Sequence, residues 1–251
     1  MRVAKVEQAL ISPRYLAGPG DPAWVTAALH AGSGWSHGQD PLVPRVILTS
    51  PDQKSMLRLE PTLNEPWWHL SHRDGRTGAQ WQAAFDAATP VELIAAVTDA
   101  LTHPDYNAAA VAEPYKLLMR AGWDVASGSD FRSPDGRVRG ERHNFSGNTD
   151  WRITASLYAD DPVWKAKFSS ATPRLLVAAF LAALVDPEPA RRSHEQTQGL
   201  SLHRITMRWQ ERPVESVARA LPERIEQLAA RRASPPPPAP LAPPTTRRHI
   251  R

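Results

Sequence analysis

The chain has 251 residues, 41% of them hydrophobic, which is enough to build one large or two small hydrophobic cores. It contains no cysteine, so disulfides and thiolate metal sites are excluded. The net charge of +4 is uneven, because residues 188–251 carry 12 basic and 6 acidic side chains whereas 24–104 carry 5 and 8. A footprint on duplex DNA needs clustered Lys and Arg, and residues 24–187 show no such excess in bulk.

The sequence gives no sign of a membrane segment. Charged residues interrupt the first 16 positions, and no apolar core with a small-residue cleavage site follows them, so we expect no signal peptide. The longest apolar run, 175–185, is shorter than the roughly 20 residues that span a bilayer. We therefore expect a cytoplasmic protein.

One segment occurs twice, at a constant offset of 83 residues. Ser50-Pro51-Asp52 reappears as Ser133-Pro134-Asp135. The same residue types then stand at matching positions further along both copies: Trp68 and Trp151, Trp81 and Trp164, Phe85 and Phe168, Thr89 and Thr172, Pro90 and Pro173. A shared offset over tryptophans and a Thr-Pro pair predicts a duplicated structural unit.

The predicted elements follow one order in both copies. Each copy begins with a short helix that ends before a tryptophan, Trp35 or Trp123. Apolar alternation then predicts strands, joined at each Ser-Pro-Asp sequence by a β-turn. The predicted strands are 46–49, 55–60, 67–72 and 80–85 in the first copy, and 137–143, 151–157 and 163–168 in the second.

Each copy is predicted to close with a helix. Thr89 suits the N-cap position and Pro90 the first helical position, and Glu92 completes a Thr-x-x-Glu capping box. The second helix follows Thr172 and Pro173, and residues 175–185 are apolar on every side. That pattern predicts burial between its own sheet and a further element, either the other repeat or the C-terminal helix.

The pattern stops repeating after residue 187. Residues 188–199 have the composition of a linker, 204–209 alternate like a strand, and 213–232 carry a helical apolar stripe. Within that stripe, Pro222 either kinks the helix or begins a second one. The prolines and arginines of 234–251 predict a disordered tail with polyproline II character, suited to act as an interaction segment.

Together these elements predict an α+β fold. Two tandem repeats, related by approximate two-fold symmetry, would each form an antiparallel sheet of about four strands followed by one α-helix. The expected segments are a lead-in (1–23), repeat 1 (24–111), repeat 2 (112–187), a C-terminal strand and helix extension (188–233), and a Pro/Arg-rich tail (234–251).

The main candidate interface is a basic sheet face in the second repeat. Its cations alternate on three neighbouring strands and are Arg137, Arg139, Arg152, Lys165 and Lys167. Trp67 has no counterpart in the second repeat and is the candidate for an exposed aromatic. The repeated aromatics suit a platform on which bases stack. Their recurrence together with the helix instead favours a place in the core between sheet and helix.

Metal and catalytic signals are weak. His69 and His72 point to opposite faces of one strand, which is poor geometry for one metal ion, and His30 and His37 lie earlier in the chain. No histidine stands at a matching place beside both Ser-Pro-Asp sequences, so a serine-type triad lacks its base. We therefore expect no metal, no cofactor and no catalytic residue.

The two Ser-Pro-Asp turns, the segment Pro13-Arg14-Tyr15-Leu16-Ala17-Gly18, the tryptophan strands and the Thr-Pro helices resemble the actinobacterial SPDY-domain family. The resemblance covers roughly residues 13–187. Where the family name has Tyr, this chain has Gln53 and Gly136. The resemblance implies a domain that is often doubled and a bacterial cytoplasmic setting. It implies no site, because the family has no established catalytic residues.

Three functions are compatible with these observations. We expect first a non-catalytic binding or scaffold protein, because the copies share turns, caps and core but no polar constellation. The second hypothesis is single-stranded nucleic-acid binding, through the basic and aromatic sheet face or through the Arg-rich C-terminal region. The third is an enzyme, a hydrolase or transferase, with a cleft between the repeats. The sequence does not identify the partner; a nucleic acid and another protein are the candidates, and no membrane is expected.

Overall fold

A computed structural model describes residues 4–38, 43–63, 66–110, 113–126, 130–145, 148–158 and 161–233. Its first strand, β1 (Lys5–Ser12), belongs to a small separate sheet. The first repeat supplies five strands: β2 (Ser36–Gly38), β3 (Val46–Thr49), β4 (Ser55–Leu59), β5 (Trp68–Arg73) and β6 (Gln80–Phe85). The second supplies β7 (Asp124–Val125), β8 (Phe131–Arg132), β9 (Val138–Phe145), β10 (Asn148–Tyr158) and β11 (Asp161–Phe168).

These ten strands form one antiparallel sheet in the order β2-β3-β4-β5-β6-β11-β10-β9-β8-β7. The mixed composition of helices and antiparallel strands is therefore confirmed. The two separate four-stranded sheets expected from the sequence are not what forms, because β6 and β11 pair edge to edge and cover the edge that each repeat would otherwise expose. The third hypothesis placed a cleft at this boundary, but there the repeats meet through paired strands.

The pairing of β6 with β11 has the symmetry that the offset of 83 residues predicts. Phe85 pairs with Ala166, and Ala83 pairs with Phe168. Between them Ala84 pairs with Lys167, its own counterpart, so the approximate two-fold axis passes through this pair. The flanking bonds obey the same symmetry: Asp86 N donates to Lys165 O at 3.0 Å, and Ser169 N donates to Gln82 O at 2.9 Å.

In the part of the chain that the structure describes, five α-helices accompany the sheet: α1 (Ala23–Ala27), α2 (Val91–Leu101), α3 (Pro114–Arg120), α4 (Arg174–Val185) and α5 (Val214–Ala233). Helix α4 packs against α2 of the other repeat and against α3, which agrees with its apolar circumference. Helix α5 packs instead on α1 and on the π-helical turn Ala28–Gly32, and it runs through Pro222 without dividing. Among the described residues, no helix has the length and apolarity to cross a membrane.

The core lies between the helices and one face of the sheet. The repeated aromatics Trp68, Trp81, Phe85, Trp151, Trp164 and Phe168 are all buried there, at 0% to 8% exposure. Where β6 pairs with β11, Phe180 of α4 stacks on Phe85 with ring centroids 5.8 Å apart and meets Phe168 edge-on with centroids 5.3 Å apart. The aromatic recurrence therefore reflects core packing, and these rings are not available to stack on bases.

The prediction of a capping box at the start of α2 is wrong. Pro90 occupies the N-cap position without a side-chain bond, and the buried Thr89 Oγ1 has no hydrogen-bond partner among the described residues. The Glu92 carboxylate binds Arg192 instead, accepting hydrogen bonds at 2.6 and 2.8 Å. A buried guanidinium from outside the repeat competes successfully for this carboxylate, since a paired charge is far less costly to bury than a lone one.

The linker expected at residues 188–199 is also wrong in part. Residues Ala190–Arg192 form β12, which pairs with β1, and β1 also pairs with β13 (Thr206–Pro213). The lead-in and the C-terminal extension therefore close a three-stranded sheet of their own. The ion pair between Arg192 and Glu92 joins this sheet to α2. A second ion pair, between Arg224 and Asp99, joins α5 to the same helix. The predicted tail, 234–251, lies outside the described residues.

Candidate functional site

The Ser-Pro-Asp sequences form the same hydrogen-bonded turn in both repeats. Ser50 Oγ donates to Asp52 Oδ1 at 2.6 Å and accepts from Ser55 N at 2.9 Å. Ser133 Oγ donates to Asp135 Oδ1 at 2.5 Å and accepts from Val138 N at 2.8 Å. Because each serine hydroxyl is committed to the turn and each serine is buried, neither is placed as a nucleophile.

The basic residues expected on the second repeat do share one face of the sheet, the face away from the helices. We call Arg139, Arg152, Lys165 and Lys167 the basic face. Arg152 pairs with Lys167 across β10 and β11, while Thr154 lies between Lys165 on one side and Arg139 on the other. The four cations border one shallow depression of about 470 Å³.

Carboxylates border this face but neutralise it only in part, and one of them, Glu141, lines the depression and stands opposite Arg152 in the register of β9 and β10. Glu141 lies 3.5 Å from Arg139 and 2.8 Å from His143. Asp86 Oδ2 accepts from Lys165 N at 2.9 Å; burial raises the pKa of the Asp86 carboxyl, and the charges of Lys165 and Lys167 oppose that rise. Within the described ranges, no ion pair joins Arg152, Lys165 or Lys167 to a carboxylate.

The first repeat has no such face at the equivalent positions. Met56, His69, Gln82 and Ala84 stand where the second repeat has Arg139, Arg152, Lys165 and Lys167. The backbone of the two repeats is the same at these positions, since both sets follow the same register in their strands. The positive charge is thus a property of the second repeat and is not required by the fold.

Residues 49–106 and 132–190 each match the SPDY family model, described as a domain of unknown function (DUF317). The chain contains two SPDY domains. Each match begins at the strand before a Ser-Pro-Asp turn, β3 or β8. Each ends after the helix that follows β6 or β11, which is α2 in the first repeat and α4 in the second. No curated protein and no solved structure matches the chain.

The fourth position of the SPDY motif has a left-handed backbone in both domains. Gln53 has φ of 63° and Gly136 has φ of 71°. Glycine adopts this conformation without strain, whereas a residue with a Cβ does so at a cost of about 1 kcal/mol. The side chain at this position is exposed, so the turn depends on its backbone and tolerates the departure from the family's tyrosine.

Two predicted site residues lie apart from the basic face. Arg137 of the second SPDY domain directs Nη1 to the carbonyl of Leu157 and lines a neighbouring cavity. Trp67 is half-buried, packs against the core and donates from Nε1 to Thr62 O at 3.0 Å, so it is not the exposed ring that its lack of a counterpart suggested.

The histidines of the first SPDY domain are engaged within the fold. His69 Nε2 lies 2.9 Å from Pro66 O, while the His72 ring stacks on Trp81 at 5.6 Å and its Nδ1 lies 2.9 Å from Ser55 Oγ. No group of three or more His, Cys, Asp or Glu side chains suited to a metal ion occurs in the part of the chain that the structure describes.

Two arginines that sequence reasoning missed stand beside the basic face. Arg132, on β8, and Arg204, in a 3-10 turn of the extension, line the same cavity as Arg137. Arg132 could have been predicted, because it directly precedes a Ser-Pro-Asp turn and the strand pairing across that turn sets it opposite Arg139. Arg204 lies outside the repeat, and no offset or periodicity connects it with the second SPDY domain.

Proposed function

We propose that this chain is a non-catalytic binding protein that holds single-stranded nucleic acid by its phosphates on the basic face of the second SPDY domain. The observation that supports this proposal best is the set of four cations on an open sheet face, at positions where the first domain has no lysine or arginine. A structural role for these cations is disfavoured because Arg152, Lys165 and Lys167 make no ion pair among the described residues.

The mode of binding follows from which groups are exposed. The repeated aromatics are in the core, so stacking contributes little, and the contacts available are those of guanidinium and ammonium groups with phosphate oxygens. Phosphate contacts position a strand without reading its bases. We therefore expect binding that is weakly dependent on sequence and strongly dependent on salt.

Salt dependence gives the first test. Four phosphate contacts on a single strand predict a slope of about −2.8 in log K against log salt, or about 50-fold weaker binding at 200 mM than at 50 mM salt. Fluorescence anisotropy with a labelled single-stranded oligonucleotide of mixed sequence measures this slope. Absence of binding at 50 mM salt would remove the proposal, and tighter binding to the matching duplex would remove its single-stranded part.

Matched variants locate the site. Arg152/Lys165/Lys167→Ala removes three cations of the basic face and should make the dependence of log K on log salt shallower, with a slope of about −0.7. Lys54/Arg58/Arg73→Ala removes three cations from the same side of the sheet in the first SPDY domain and should leave it unchanged. Arg247/Arg248/Arg251→Ala tests the Arg-rich tail, which the sequence offers as the alternative site. If only the tail variant lost binding, the basic face would not be the interface.

A further inference from the structure

A cavity of about 380 Å³ adjoins the basic face at the boundary between the second SPDY domain and the C-terminal extension. Four guanidinium groups line it, from Arg132, Arg137, Arg139 and Arg204. We call it the arginine cavity. Ser156 and Tyr158 also line it, and the Tyr158 hydroxyl lies 2.9 Å from His203 Nε2. Such a concentration of donors in a concave site suits a compact anion better than it suits an extended strand.

The carboxylate at this cavity is already engaged. Asp135 Oδ1 accepts from Ser133 Oγ at 2.5 Å and from Arg137 N at 3.0 Å, while Oδ2 accepts from Tyr15 OH at 2.8 Å. These bonds hold the Ser-Pro-Asp turn and join it to the lead-in segment. Asp135 therefore contributes charge to the cavity wall but makes no ion pair with the four arginines.

The arginines keep donors free for a ligand. Arg204 Nε is buried without a hydrogen-bond partner among the described residues, and its guanidinium lies 5.0 Å from the centre of the Tyr158 ring. Arg132 makes no ion pair within those residues. Within the described ranges, the Arg137 side chain bonds only to the carbonyl of Leu157. An uncompensated buried donor is costly, and an anion in the cavity would relieve that cost.

The first SPDY domain neutralises the equivalent place. Lys54 stands where the second domain has Arg137, and its Nζ donates to Asp74 Oδ2 at 3.1 Å. The second domain has Leu157 at the position of Asp74 and so lacks this counter-charge. Thr49 stands at the position of Arg132. The excess of arginine over carboxylate at this place is thus a feature of the second domain, and Arg204 of the extension adds to it.

We propose that the arginine cavity binds a terminal phosphate, a phosphomonoester dianion. This proposal builds on the proposed function, because Arg139 and Ser156 line both the cavity and the depression of the basic face. A strand lying on the basic face would thus end with its phosphate among the arginines. The same chemistry would also accept a free mononucleotide, and the half-exposed ring of Tyr158 gives its base a surface at the rim.

Oligonucleotides that differ only in their ends test the proposal on the full chain. The probes are one single-stranded sequence with a 5′-phosphate, with a 3′-phosphate, or with neither, labelled internally. The 5′- or the 3′-phosphorylated form should bind at least about tenfold more tightly than the unphosphorylated form. Arg132/Arg204→Ala should abolish that preference and leave binding of the unphosphorylated probe within about twofold.

Two further variants separate loss of the site from loss of the fold. Arg132→Ala changes one exposed side chain and should by itself reduce the preference. Lys54/Arg73→Ala removes two cations from the first SPDY domain and should not. Equal binding of all three probes to a chain that still needs the basic face would overturn the cavity proposal and leave the proposed function standing.

Calorimetry with adenosine 5′-monophosphate and with inorganic phosphate distinguishes the sources of the phosphate. Binding of either that disappears in Arg132/Arg204→Ala, in a chain that binds no oligonucleotide, would support the cavity and refute the proposed function. If neither small molecule nor any oligonucleotide bound at low salt, both proposals would fall. Adenosine without phosphate is the control for contacts made by the base alone.

Discussion

Phe131 and Gly140 of the second SPDY domain replace a pair of leucines in the first. Leu48 pairs with Leu57 between β3 and β4, and Phe131 pairs with Gly140 between β8 and β9. The side chains of Leu48, Leu57 and Phe131 are buried in the core. A large residue opposite a glycine thus fills the space that two residues of medium size fill in the other domain. The exchange of Phe131→Leu with Gly140→Leu should therefore be tolerated only when both are made together.

The geometry sets the magnitude for the single changes. A Cβ on Gly140 would lie 2.1 Å from two ring atoms of Phe131. The ring is 3% exposed and meets Trp123 at 5.9 Å, so it has little room to move. Overpacking of this kind costs about 3 kcal/mol for Gly140→Leu. Phe131→Leu leaves a partial cavity beside the glycine and costs about 2 kcal/mol.

Urea unfolding of the four proteins in the cycle measures the coupling. The double variant should be destabilised by about 2 kcal/mol or less, so that the single effects exceed it by about 3 kcal/mol. The slope of unfolding free energy with urea should stay constant, since the exposed surface does not change. If the two changes were additive, the volume exchange between the domains would not explain Gly140.

Two further predictions concern the contacts that bind the extension and the lead-in to the repeats. Glu92→Gln should lower the free energy of unfolding by about 3 kcal/mol, because it leaves the 2%-exposed Arg192 guanidinium without its counter-charge. The control Glu215→Gln, on the surface of α5, should change it by less than about 0.5 kcal/mol. Equal effects of the two variants in urea unfolding would contradict this reasoning. Burial and the bond to Asp135 raise the pKa of Tyr15 above its ordinary value, so the folded phenol keeps its proton above about pH 10 while the unfolded phenol loses it. Stability should consequently fall as pH rises beyond that point, and Tyr15→Phe should flatten the fall; identical alkaline profiles would show that Tyr15 is not its source.

The features that could be predicted from the sequence were those that occur in both repeats. If the repeats pair symmetrically, the offset of 83 residues requires one residue of β6 to face its own counterpart, and the structure identifies that residue as Ala84, opposite Lys167. Alternation placed the strands around Leu57 and Ile153 correctly. The sharing of one sheet was not predicted, because nothing in a strand's pattern tells whether its edge faces solvent or another copy. The cations of the basic face were found by the same alternation that reveals strands.

The features that were missed depend on single, distant partners. Glu92 has the spacing of a capping residue, but its carboxylate pairs with Arg192, which lies 100 residues later in the chain. Asp99 is bound in the same way by Arg224. The second domain has Leu175 and Ala182 at the matching positions of α4, so these two ion pairs can form with α2 but not with α4. A repeat search discards such differences, although here they mark where the two-fold symmetry is broken.

The contact of Ala84 with Lys167 has a consequence for how the charge of this protein could arise. In a homodimer joined along the same strand, the residue on the axis would face an identical copy of itself, and a lysine there would oppose a lysine, which is unfavourable. Joining both halves in one polypeptide lifts this restriction, since each side of the axis is then encoded separately. A single lysine can stand at the two-fold axis, on the exposed face of the sheet, with an alanine opposite, an arrangement that identical subunits could never adopt.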